Sequence, residues 1–289
     1  LDYNGAMRKA DGRYLTDVFA QEAVDFIRRH QHEPFFLMVT FNAPHFPLQA
    51  PGEESAHFAG IGRLTPAVSA IYAMNARMDK GVARIVETLG QTGLNENTLL
   101  MFTSDNGPDF GGEGDACTTR YNCSFNGCKG NVYEGGIRVP MILRWPAGLP
   151  RRMRCNAFVH FCDWFPTLVN VAGATSPGTL PLDGQDVLSV LRAEEDHGAV
   201  RRFWQWNRYT PVKTCDAAMR DGDWKLVRPC IAEAMSLTEA DCEVDRALKY
   251  EPDRFDGLAG LPEPERSIPS PPPQQLFKID EDPFEREDR

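Results

Sequence analysis

The sequence predicts an α/β fold with a mostly parallel central sheet flanked by helices, followed by a small antiparallel α+β subdomain. Three observations predict it. Two apolar runs, "PFFLMVTFN" at 34–42 and the stretch behind Thr98 in "TLLMFTSDNG", read as strands covered on both faces, because nothing strongly polar interrupts them. Between them lies a long amphipathic segment, and strand, helix, strand is the crossover unit that yields parallel strands. After about residue 195 the chain turns to short polar and aromatic segments such as "RFWQWNRY" and "GDWKLVRP", which read as antiparallel strands and turns. The expected division is therefore 1–195 and 196–289.

Each element has its own reason. From Tyr14 to His32, the residues Leu15, Val18, Phe19, Ala23, Phe26 and Ile27 recur at helical spacing, and Arg28, Arg29 and His30 suit the negative end of a helix. The 34–42 strand follows, then a proline-rich loop, "APHFPLQAPGEE". Residues 66–92 form a second helix, marked by Ile71, Met74, Met78, Val82, Ile85 and Leu89 and ended by Gly93. The Thr98 strand comes next, and "IRVPMILRWP" supplies a further strand. "CDWFPTLVNVAG" reads as a helix entered at Asp163 with Pro166 in its first turn. Residues 251–275, rich in Pro, Glu and Arg, form an irregular excursion.

Composition narrows the function classes. No apolar stretch approaches the ~20 residues that cross a bilayer, so no membrane span is expected. A net charge of -10 argues against a nucleic-acid partner, which calls for a basic face. Eight cysteines are many for a cytosolic enzyme; Cys117, Cys123 and Cys128 crowd one loop, and Cys215, Cys230 and Cys242 another region. Disulfides in an oxidising compartment are the simplest reading, with at least one bridge expected among Cys117, Cys123 and Cys128. Zinc is the alternative, although no paired C-x2-C spacing is present.

The Thr98 strand stops at Asp105 and Asn106. These residues read either as a glycine-rich turn or as half of a metal site, two hard oxygen donors at a strand's carboxyl end. Parallel strands deliver their terminal loops to one edge, so His45 and Asp105–Asn106 are expected as neighbours there.

Six blocks occur in order: "PFFLMVTFNAPHFPLQAP", "YAMNARMDKGVARIVETLGQTGLNENTLLMFTSDNG", "GCKGNVYEGGIRVPMILRWPAG", "DWFPTLVNVAGA", "LDGQDVLSVL" and "DGDWKLV". In this the chain resembles the sulfatases, sulfuric-ester hydrolases of the alkaline phosphatase superfamily, over nearly its whole length. The resemblance implies an alkaline phosphatase-like fold and hydrolysis of sulfate monoesters. It implies that Asp105 and Asn106 ligate Ca²⁺ or Mg²⁺, that His45 contacts the ester and assists the leaving group, and that Lys129 binds a sulfate oxygen. The chemistry suits those types. Carboxylate and carboxamide oxygens favour hard cations, and a cation or proton donor stabilises charge on the breaking bond.

The family's nucleophile is a formylglycine made from Cys or Ser in [CS]-x-P-x-R. None of the eight cysteines has Pro two positions later, and Ser267, followed by Pro269, has Pro271 where Arg is required. The adjacent Asp-Asp pair of the metal site is absent too. The expectation is an amino-terminally truncated sulfatase, extracytoplasmic, inactive as this piece alone, whose substrate is a sulfated small molecule or glycan. Two alternatives stand beside it: a phosphodiesterase or phosphonate hydrolase of the same superfamily, and a non-catalytic binding relative. Arg138 is expected to anchor the glycine loop. Trp204, Trp206 and Tyr209 read as small-domain core, and His57, His160 and His197 as surface or satisfied core residues.

Overall fold

The computed structural model describes residues 2–7, 12–176, 178, 180–195, 198, 200–207, 212–254 and 267–289. These group into two compact units. The first comprises Leu1–Phe102, Phe110–Arg120 and Ile142–Arg151; the second comprises Thr103–Asp109, Tyr121–Met141 and Arg152–Arg289.

In the first unit a two-residue hairpin, β1 (Asp2–Tyr3) and β2 (Ala6–Met7), precedes α1 (Leu15–Arg29), α2 (Gly52–Ala59) and α3 (Pro66–Gln91). The α3 start follows from its residues. Thr65 Oγ1 accepts the Val68 N–H at 3.1 Å, and Pro66 fills the first helical position, where its missing N–H costs nothing. The apolar stripes of α1 and α3 meet in a cluster of Ala23, Val24, Ile27, Ile85 and Leu89. Arg77 of α3 forks onto both carboxylate oxygens of Asp17 in α1, at 2.8 and 2.7 Å, and reaches Glu54 of α2 at 3.2 Å, tying the three helices together.

Residues 34–42, which the apolar run predicts as a strand covered on both faces, join no hydrogen-bonded ladder among the described residues. Their burial alternates. Phe35, Leu37, Val39 and Phe41 pack on the α1–α3 cluster, while Phe36 and Met38 are each 73% exposed. A continuous apolar run tells nothing about which row is covered, and here only one is. The Thr98 strand is present as β3 (Leu100–Thr103), paired with β4 (Met141–Arg144) in a two-stranded sheet. The mostly parallel central sheet expected from the sequence is not assigned among the described residues.

The second unit holds α4 (Glu134–Ile137), α5 (Trp164–Val171), α6 (Leu188–Leu191), α7 (Ala232–Met235) and α8 (Glu239–Tyr250). Its sheet is formed by β5 (Arg201–Gln205), β6 (Ala217–Asp221), β7 (Trp224–Arg228) and β8 (Gln275–Lys278), in that order and antiparallel throughout, as the change of character after residue 195 predicts. One face covers Val132, Ala218, Val227, Phe277 and Ile279. Asp163 enters α5 as expected. Its fully buried carboxylate accepts the His160 and Gln185 N–H groups at 2.8 and 2.9 Å and pairs with the Arg202 guanidinium at 2.5 Å.

The cysteines correct one expectation. Cys117, Cys123 and Cys128 stand as free thiols, with no bridge among them. The Cys128 thiol instead lies 3.6 Å from both the Lys129 carbonyl and Asn131 Oδ1, held inside its own turn.

Candidate functional site

Two loops of the second unit carry three of the four candidate residues. In the first, Asp105 is exposed at the end of β3, and its Oδ1 accepts the Asn106 N–H at 2.9 Å. Asn106 Nδ2 donates to the Gly107 carbonyl at 2.9 Å, which occupies the amide nitrogen and turns the carboxamide oxygen away from that bond. Ser104 Oγ donates to the Asn106 carbonyl at 3.0 Å. Both residues thus keep hard oxygens uncommitted to this turn.

The second loop runs from Asn126 to α4 and is laced to the first. Gly107 donates its N–H to Gly136 O at 2.8 Å, and Lys129 donates its N–H to Pro108 O at 2.9 Å. The approach is so close that a Cβ on Gly107 would stand 1.8 Å from the Gly135 carbonyl oxygen. Gly135 and Gly136 are equally crowded, with Gly127 O at 2.2 Å and Asn131 O at 2.1 Å from the position of a Cβ. Glycine is required by contact here, not by conformation. Lys129 is half-buried, and among the described residues its ammonium forms no ion pair.

The lysine loop is anchored on the antiparallel sheet. Val132 donates its N–H to Asp216 Oδ1 at 3.2 Å. Glu134 donates its N–H to Glu285 Oε2 at 2.7 Å, and the Lys225 ammonium, fully buried, bridges Glu134 at 2.9 Å and Glu285 at 2.7 Å. Burial pushes the Glu285 carboxyl above its ordinary range, against the opposing pull of Lys225. Burial likewise pushes Asp216 up to about 6, moderated by its bond from Val132. Arg138 lies 3.5 Å from Glu134 and over the Phe125 ring at 5.0 Å, the anchoring role expected of it. Trp206, 39% exposed, sets its indole nitrogen 3.2 Å from where a Gly130 Cβ would be.

His45 belongs to the first unit, in the loop after residues 34–42. Its N–H bonds Asn42 O at 2.8 Å, and its ring is exposed. Nδ1 lies 2.9 Å from the Phe46 carbonyl, which can only accept, so Nδ1 carries the proton and Nε2 is left unprotonated.

As a metal centre, Asp105 and Asn106 offer a carboxylate and a carboxamide oxygen, the donors that suit Ca²⁺ or Mg²⁺. Among the described residues no group of three or more His, Cys, Asp and Glu side chains is gathered to hold a metal. The two residues therefore fit a hard cation as part of its shell, not as the whole of it.

Sequence reading misses Glu134, Lys225, Glu285 and Asp216 as supports of the site. A signal existed for Lys225: in "WKLV" it shares strand parity with buried Val227, which puts it on the inward row. Trp204 packs in the core with Phe158 and His160, as expected, whereas Trp206 reaches the surface. His57 stacks edge-on against Phe58. Tyr209 and His197 lie outside the described residues.

A lysine without an ion pair among the described residues thus stands on a loop laced to the one that carries a carboxylate and a carboxamide. Comparison with known proteins specifies the family. The sulfatase family model matches residues 2–174, and that of the C-terminal region of N-sulphoglucosamine sulphohydrolase matches residues 128–241. The chain belongs to the sulfatase family. It is 37% identical to steryl-sulfatase of Mus musculus over 194 residues, covering 65% of this chain and 29% of that protein. It is 35% identical to N-acetylgalactosamine-6-sulfatase of Canis lupus familiaris over 188 residues, covering 61% of this chain and 32% of that one. The crystal structure of Ps i-CgsB superimposes with a TM-score of 0.72 at 28% identity, over 99% of this chain and 53% of its own. The chain thus spans about a third of the curated relatives it matches.

Among the described residues, no helix is long and apolar enough to cross a membrane.

Proposed function

We propose that the protein hydrolyses sulfate monoesters, with Lys129 binding a non-bridging sulfate oxygen and His45 at the leaving oxygen. The observation that carries this reading is family membership over 2–174, joined to the interlacing of the Lys129 and Asp105–Asn106 loops. Asp105 and Asn106 would hold Ca²⁺ or Mg²⁺, which supplies positive charge to the sulfate oxygens. Lys129 is a compact cation for one of those oxygens. His45, with Nδ1 fixed on Phe46 O, would present Nε2, and in its protonated form that atom can donate to the departing oxygen. The formylglycine nucleophile is assigned to sequence outside residues 1–289.

A sulfated oligosaccharide is the substrate class we favour. Ps i-CgsB has been solved in complex with k-i-k-neocarrahexaose, and Trp206 places a partly exposed indole beside Gly130, adjacent to Lys129, where it could stack on a ring. Eight cysteines support an extracytoplasmic location. In this reading residues 34–42 and β3 belong to the parallel sheet of an alkaline phosphatase-like catalytic domain, 1–195, and 196–289 is its small C-terminal subdomain.

The experiment is turnover of an aryl sulfate and of an aryl phosphodiester by the full-length parent, co-expressed with a formylglycine-generating system, beside the 1–289 chain alone. Sulfate-ester turnover by the parent only is the expected result. Activity in the 1–289 chain would overturn the placement of the nucleophile, and turnover of the phosphodiester without any sulfate ester would overturn the reaction class.

A further inference from the structure

Cys215 and Cys230, both free thiols in the structure, flank the β6–β7 hairpin. The two strands pair with Ala217 opposite Arg228, Ala218 opposite Val227, and so on to the turn. The ladder continues one step beyond them, because Asp216 donates its backbone N–H to Pro229 O at 3.4 Å. A further step sets Cys215 opposite Cys230. Continuing that register, 215 and 230 would face each other as a non-hydrogen-bonded pair, the kind whose Cα atoms stand about 4.5 Å apart in a regular ladder. Disulfides span Cα separations of about 4.4–6.8 Å.

Asp216 has a positive φ of 44°, which turns the chain at this point, yet the reach across the hairpin survives the turn. Cys215 Sγ accepts the N–H of Ile231, the neighbour of Cys230, at 3.2 Å. Cys215 is fully buried in an apolar cluster with Ile231 and Ala234, and Cys230 packs against the same cluster. The Cys230 thiol is pushed up to about 12, first by burial, then by Asp216 and by Cys215 itself, so the two sulfurs feel each other.

We propose that Cys215 and Cys230 close a disulfide that staples this hairpin. The bond forms by exchange with a disulfide oxidant, either a protein dithiol–disulfide carrier or oxidised glutathione. One cysteine thiolate attacks the carrier to give a mixed disulfide, and the other then displaces the carrier sulfur. The S–S bond passes to Cys215 and Cys230, and the carrier leaves reduced with their two electrons and two hydrogens. Because Cys215 is fully buried and Cys230 half-buried in the folded chain, the exchange belongs to folding, before the cluster closes over them.

The staple has a position that matters. It flanks Asp216, whose carboxylate holds Val132 in the lysine loop, so closing it fixes the strand on which that loop hangs. The pairing rests on the hairpin register and is independent of the sulfatase reading.

The test is a disulfide map. The full chain is reduced, unfolded, refolded in a glutathione redox buffer, alkylated with N-ethylmaleimide under denaturing conditions and digested without reductant. The same map is made on protein purified from the secretory compartment of a host cell, which needs no refolding. The expected result in both is one linked peptide pair joining Cys215 and Cys230, split into two alkylated peptides when reductant precedes alkylation. A melting temperature that falls on reduction in the wild type and not in C215A/C230A is also expected. Recovery of both cysteines alkylated, or of either linked to a different partner, overturns the proposal.

Discussion

The Lys129 backbone donates to the Pro108 carbonyl at 2.9 Å, which ties the loop presenting the ammonium to the loop presenting Asp105 and Asn106. The contact is made by the main chain, and the side chain stays out of it.

Position and chemistry at Lys129 can therefore be separated. K129A keeps the backbone contact and should leave the melting temperature of the parent protein within a degree or two. Sulfate-ester kcat/KM is expected to fall by about 10²-fold or more, the scale of losing one preorganised oxyanion partner. Steady-state kinetics beside a thermal melt checks both halves. Full activity in K129A would remove the lysine from the site.

Gly107 gives the converse case. G107A puts a methyl 1.8 Å from the Gly135 carbonyl oxygen, where no flexible side chain can yield. A destabilisation above about 4 kcal/mol is expected, which is exceptional for adding a single carbon. Urea unfolding of G107A against the wild type measures it, and a change below about 1 kcal/mol would contradict the observed approach.

Lys225 sits between two buried carboxylates. K225M leaves Glu134 and Glu285 facing each other without a cation and is expected to cost about 3–5 kcal/mol. Adding E285Q removes one of those charges, so K225M/E285Q should be more stable than K225M alone. Denaturant midpoints of the two variants decide it; a double variant weaker than the single would show that packing, not charge, sets the cost.

Asp216 makes stability depend on pH. Its folded value of about 6 lies above the unfolded value near 3.8, so the neutral form is favoured by folding. The associated stability is fully present below about pH 4 and is lost as pH rises through 6. D216N keeps an oxygen for the Val132 N–H and carries no charge. Its melting temperature should match the wild type near pH 4 and exceed it increasingly up to pH 7. Parallel melting curves of the two proteins across that range would refute the raised value.

The helices α1 and α3 were legible from a 3.6-residue apolar period, with basic residues in the last turn of α1 and Gly93 after α3, and α5 from its entry at Asp163 with Pro166 in the first turn. Residues 34–42 were not, since apolar residues in nearly every position give no alternation to read. The candidates Asp105, Asn106 and Lys129 came from ordered motif blocks, and the loops that carry them interlace. The supports escaped because they are contacts between distant positions. Glu285 lies in a charged terminal stretch, "DPFEREDR", that resembles solvated tail, and only the fold brings it to Lys225. The same holds for Asp216, a turn residue by sequence and a buried acceptor for Val132 in space.

The uncovered row of residues 34–42 bears on how residues 1–289 behave when expressed alone. A segment without ladder partners, with Phe36 and Met38 turned outward at 73% exposure, offers both apolar side chains and main-chain hydrogen-bonding groups to whatever meets it first. Holdase chaperones bind such stretches, and so do identical stretches of other molecules. A 1–289 chain expressed alone is therefore expected to self-associate through this row, and the full-length parent, in which 34–42 is proposed to lie inside a sheet, is not.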